Sequence, residues 1–108
     1  MIDLDAYPRP DTGVIGRVVD GPTPGSREAV VVLPARGKID VLNNVGARIW
    51  SLVDGRHSVR QIATIICDEY GAEQAVVDAD LVEFLDDLVR RRAIVMGDRP
   101  LPLSEMGV

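Results

Sequence analysis

The 108 residues hold one cysteine, Cys67, and one histidine, His57. A single cysteine excludes an intrachain disulfide. One cysteine and one histidine also fall short of an ordinary zinc ligand set. No apolar run approaches the roughly 20 residues that span a bilayer, so no membrane role is expected. The first ten residues carry Asp3 and Asp5 with no apolar stretch, unlike a secretory signal, and a reducing, cytoplasmic setting is expected. Aromatic residues are scarce, with one Trp, one Phe and two Tyr, so a core must be built from Val, Ile, Leu and Ala. Positive charge is in deficit as well. Twelve Lys and Arg face seventeen Asp and Glu, for a net charge of -5. Such a chain is repelled by a phosphate backbone unless its bases are segregated.

The rest is the composition of one globular domain, 46% apolar and 27% charged. Residues 1–12 contain Pro8 and Pro10 with no apolar period and read as a flexible arm. Residues 13–20 are rich in β-branched residues, a strand signal. The Gly21–Ser26 run is a loop, and residues 28–33 (EAVVVL) read as a buried strand. Pro34 to Gly37 form a turn before a short third strand, Lys38–Leu42. Connections this short favour an antiparallel meander.

Helical spacing takes over from there. Asn43 or Asn44 can cap a helix whose apolar stripe is Val45, Ile49 and Leu52. Ser58 and Gln61 have the spacing of a capping box, opening a second helix with Val59, Ile62, Ala63, Ile66 and Tyr70 on one face. A third helix begins between Glu73 and Asp78, with Val77, Leu81, Phe84, Leu85 and Leu88 facing inward. Its outer surface is acidic, and Arg90, Arg91 and Arg92 complement its negative end. Ile94–Met96 can add a last extended piece, and residues 97–108 read as a flexible tail. The fold class is α+β: a three-stranded antiparallel sheet followed by three helices, in outline a winged helix-turn-helix.

Catalytic chemistry finds little support. His57 lies beside the Ser58 cap and lacks partners for general-base work. Cys67 sits in an apolar helix, where a lone thiol acts as a small hydrophobe. Asp86 and Asp87 are adjacent and point about 100° apart on a helix, so they are no carboxylate dyad. No phosphate-cradling glycine motif occurs. No enzyme, cofactor or metal is therefore expected. A winged-helix DNA reader remains the alternative on shape, but Asp68, Glu69, Glu73, Asp78, Asp80, Glu83, Asp86 and Asp87 oppose it. What remains is a sheet edge able to accept another chain as an added strand.

One stretch narrows the field. Leu42 to Gly55 reads LN..GA.IW.L.DG, followed by Ser58-Val59, Ile62-Ala63, Tyr70, Asp80-Leu81, Phe84-Leu85 and Leu88. In order and spacing, residues 13–96 resemble the PqqD-like family: pyrroloquinoline quinone biosynthesis protein D and its relatives, the precursor-peptide recognition elements of ribosomally made, post-translationally modified peptides. The resemblance implies a non-catalytic peptide-binding domain. A leader peptide would add as a strand beside the third strand and lie against the third helix. Carried onto this chain, the peptide-binding residues would be Lys38, Ile39, Asp40, Val41, Leu42, Val77, Asp78, Leu81 and Leu85. Its partners would be a precursor peptide and a maturation enzyme, such as a radical enzyme or leader peptidase, with no nucleic acid. Pyrroloquinoline quinone, lasso-peptide or related biosynthesis fits equally. The family often has glycine after the third helix, where this sequence has Arg92-Ala93.

Overall fold

A computed structural model describes residues 2–102. The order of elements is β1 (Tyr7–Pro10), β2 (Ile15–Asp20), β3 (Arg27–Leu33), β4 (Lys38–Leu42), α1 (Asn44–Leu52), α2 (Val59–Tyr70), α3 (Gln74–Arg90) and β5 (Ile94–Gly97). β2, β3 and β4 form an antiparallel sheet in that order, and β1 pairs with β5 in a separate antiparallel ribbon. The expected α+β class, with three meandering strands before three helices, is what the chain adopts. The third strand of the sequence reading is β4.

Alternation along β3 explains how the sheet packs. Ala29, Val31 and Leu33 point to the helices and are buried, while Val30 and Val32 point away. Trp50 of α1 lies over β2 because residue 16 is glycine: a Cβ there would stand 2.1 Å from the indole Nε1. Helix starts follow local chemistry. Asn43 Oδ1 accepts from the Gly46 amide at 2.9 Å, opening α1. Ser58 and Gln61 form the capping box reciprocally, at 3.1 and 2.8 Å. Leu81, Leu85 and Leu88 then meet Ile62, Ala63 and Ile66 in one core.

The first segment departs from expectation. Its lack of apolar period predicts a flexible arm over residues 1–12, but Tyr7–Pro10 pair with Gly97–Ile94 and Pro8 is fully buried. The reason lies in backbone groups that carry no side-chain signature. The first amides of a helix have no partner inside it. Here Val59 N–H donates to the Ala6 carbonyl and Arg60 N–H to the Leu4 carbonyl, both at 2.9 Å. Gly55 N–H reaches the Pro8 carbonyl at 2.8 Å, and Ile2 joins the core. The segment read as a tail is also engaged at its start: Gly97 ends β5, and Leu101 N–H donates to the Gly55 carbonyl at 2.9 Å. Residues 103–108 of that tail lie outside the described residues.

The end of α3 resolves the missing glycine. Arg92 takes a left-handed backbone with φ of 61°, the conformation glycine adopts freely. The three arginines do not act together. Arg90 pairs with Asp86, and Arg91 with Asp87 and Asp40.

Candidate functional site: the open edge of β4 and the groove beside α3

β4 is, with β2, an outer strand of its sheet, so one side of its backbone has no strand partner among the described residues. Its side chains alternate. Asp40 and Leu42 turn toward the helices and are half-buried, while Ile39 and Val41 are 64% and 59% exposed. Between this edge and α3 runs a groove of about 250 Å³, lined by Asp40, Val41, Leu42, Phe84, Asp87 and Arg91. Asn43 and Phe84 then pass from this groove into a second, apolar depression of about 420 Å³. Val45 and Ile49 of α1, Tyr70 at the end of α2, and Val77 and Leu81 of α3 line it. At Gly46 a Cβ would stand 3.1 Å from Leu42 Cβ and 3.4 Å from the Phe84 ring, so α1 packs closely against the end of β4 there.

Arg91 fixes the far end of the groove. Its Nη1 lies 3.0 Å from Asp40 Oδ2 and its Nε 2.9 Å from Asp87 Oδ2, tying β4 to the last turn of α3. The Asp40 hydrogen bond, then the charges of Asp40 and Asp87, push the guanidinium above its ordinary range. Asp80, Glu83 and Asp87, with the single cation Arg90, form a predominantly acidic shoulder around Phe84.

The residues expected from the sequence fall into two groups. Asp40, Val41 and Leu42 border the groove, and Val77 and Leu81 line the apolar depression. Lys38 and Ile39 are exposed on β4 outside both. Leu85, expected at the peptide, is 0% exposed and belongs to the hydrophobic core. Asp78 also leaves the groove, since it accepts from Gln74 Nε2 at 2.8 Å and its charge acts on Cys67 of α2. Asp80, Asp87 and Arg91 also border these depressions, without a signal in the sequence that singles them out. The spacing of Phe84 placed it with the inward residues; it is only half-buried and stands at the junction of both depressions.

The two residues considered for chemistry sit elsewhere. His57, expected to lack partners, has one: its Nδ1 lies 2.9 Å from Asp54 Oδ2 in the loop after α1, but the pair borders neither depression. Burial pushes the Cys67 thiol up, reinforced by Asp78 and Asp68, which keeps it protonated. Among the described residues no group of three His, Cys, Asp or Glu could hold a metal ion.

Comparison with known proteins addresses the same segment. A Methylorubrum extorquens protein, bifunctional coenzyme PQQ synthesis protein C/D, is 35% identical over 68 residues, which are 63% of this chain and 18% of that protein. The chain thus spans less than a fifth of that relative. The solution NMR structure of the PqqD truncation of Methylobacterium extorquens PqqCD aligns with a TM-score of 0.67 and 28% identity. That match covers 88% of this chain and 95% of the other, which is described as a functional, stand-alone recognition element for ribosomally synthesized and post-translationally modified peptides. The family model for coenzyme PQQ synthesis protein D matches residues 28–94, more than half of the sequence, and this chain belongs to the PqqD family.

Proposed function

We propose that this chain is a recognition protein that binds the leader segment of a ribosomally made precursor peptide and holds it for a modifying enzyme. It does no chemistry of its own. The observation that carries this reading is the unpaired edge of β4 running beside the α3 groove. An extended peptide laid there gains backbone hydrogen bonds from β4 and side-chain contacts from Phe84 and the apolar depression. Lys38, Ile39, Asp40, Val41 and Leu42 supply the strand, and Val77, Leu81 and Phe84 the pocket. The M. extorquens recognition element supports the same role by fold and family. The partners are then a precursor peptide and a maturation enzyme, a radical enzyme or a leader peptidase. The peptide product belongs to pyrroloquinoline quinone synthesis or a related pathway, lasso-peptide synthesis included.

Calorimetry with synthetic candidate leader peptides tests the proposal. A saturable one-to-one complex is expected. Neighbouring amides on a strand point opposite ways, so Asp40→Pro and Val41→Pro divide the outcome. The variant whose amide faces the open side stays folded and loses binding, and the other damages the sheet. If every folded strand variant binds like the parent, strand addition is wrong. Tight duplex-DNA binding with steep salt dependence would instead favour a winged-helix DNA reader. Acids at positions 78, 80, 83, 86 and 87 on α3 argue against that result.

A further inference from the structure

The chemistry of the groove specifies what it selects. We infer that the bound segment is a peptide carrying one large apolar side chain with a Lys or Arg within about three residues of it, the apolar group in the α1–α2–α3 depression and the cation against Asp80 and Glu83. This rests on the proposed leader-binding role and deepens it.

The depression of about 420 Å³ is walled almost wholly by apolar side chains, including Val45, Ile49, Tyr70 and Val77. Three of them are apolar surface left in water: Val45 is 41%, Tyr70 46% and Val76 51% exposed. An aliphatic or aromatic side chain that covers them removes apolar area from water on both partners. The second selector is charge. The acids of α3 are not equally compensated. Asp86 pairs with Arg90, and Asp87 with Arg91. Among the described residues, Asp80 and Glu83 have no ion-pair partner. Asp80 lines the apolar depression itself, and it shares the shoulder with Glu83, Phe84, Asp87 and Arg90, whose guanidinium is held by Asp86 rather than by Asp80 or Glu83. Uncompensated negative charge therefore sits at the mouth of an apolar cavity. A cation beside the anchor is attracted there, while an acidic neighbour is repelled. The route from β4 is continuous, because Asn43 and Phe84 border both depressions.

The test is selection of phage-displayed random dodecapeptides on the full chain. Enriched peptides are then synthesised and titrated by fluorescence anisotropy, with amide hydrogen exchange recorded on β4. The expected peptides pair Leu, Ile, Met, Phe or Trp with a nearby Lys or Arg. Asp80→Lys weakens them about tenfold, and replacing the peptide's cation by Glu restores affinity to that variant. Ala72→Trp, at an exposed lining position, fills the depression and abolishes binding while leaving the unfolding midpoint unchanged. Enriched peptides that are acidic or lack the apolar anchor, yet protect β4 amides, overturn this selectivity and leave strand addition standing. Peptides with the expected motif that leave β4 unprotected contradict strand addition but keep the selectivity. Failure to enrich any binder contradicts both.

Discussion

β1 and β4 are short strands beside the same helical core, yet their edges end differently. β1 is drawn in. Its carbonyl at Pro8 and those of Ala6 and Leu4 just before it serve amides in the α1–α2 loop and at the start of α2, and Pro8 is buried under them. β1 also carries two prolines, Pro8 and Pro10, which offer no amide to a neighbour. β4 has no proline, and its outward side chains Ile39 and Val41 are exposed. Edge strands left open invite other chains, and proteins usually blunt them. In this chain one short strand is consumed in holding the fold together, and the other is left available.

That contrast makes predictions of decreasing size. Deleting residues 1–11 is expected to lower stability by more than about 3 kcal/mol, since it removes the buried Ile2 and Pro8 and leaves helix-start amides unpaired. Urea unfolding of the truncated chain measures this. A midpoint close to the parent would mean that β1 is not structural.

Trp50 and Phe84 lie on either side of the same divide between core and groove. Trp50 is 6% exposed against β2, so Trp50→Ala costs roughly 3–5 kcal/mol. Phe84 is half-buried at the groove, so Phe84→Ala costs less than about 2 kcal/mol but removes most peptide affinity. Equal losses of stability would place Phe84 in the core after all.

Smaller still, Arg92→Gly relieves a left-handed residue and raises stability by about 0.5–1 kcal/mol, read as a higher thermal midpoint.

The smallest effect is a pH dependence. Burial acts to raise the Asp54 carboxyl. It is outweighed by hydrogen bonds from the Arg56 amide, the His57 ring and the His57 amide, which hold the group below its ordinary range. A depressed carboxylate stabilises the fold above its unfolded-state value and loses that contribution as pH falls through its folded-state value. Acid unfolding should therefore be slightly shallower in Asp54→Asn, as followed by circular dichroism.

Much of this was legible in the sequence because the signals were local. The β-branched run EAVVVL marked β3, the Ser58–Gln61 spacing marked the start of α2, and helical spacing found the inward face of α3. β1 was not legible. Its partner β5 lies more than 80 residues away, and backbone carbonyls look alike whatever the side chain. The groove was half legible. β4 was found as a strand, but the facing side of α3 depends on helix rotation, which spacing fixes only coarsely. Leu85 and Phe84 are adjacent, and a turn of about 100° sends one to the core and the other to the groove.

Amide hydrogen exchange on β4, with and without the precursor peptide, is the most direct measurement. Strand addition predicts that the alternate β4 amides facing the open side slow markedly on binding, while β1 and β5 amides are unchanged. Saturated binding with unaltered exchange throughout Lys38–Leu42 would contradict the account.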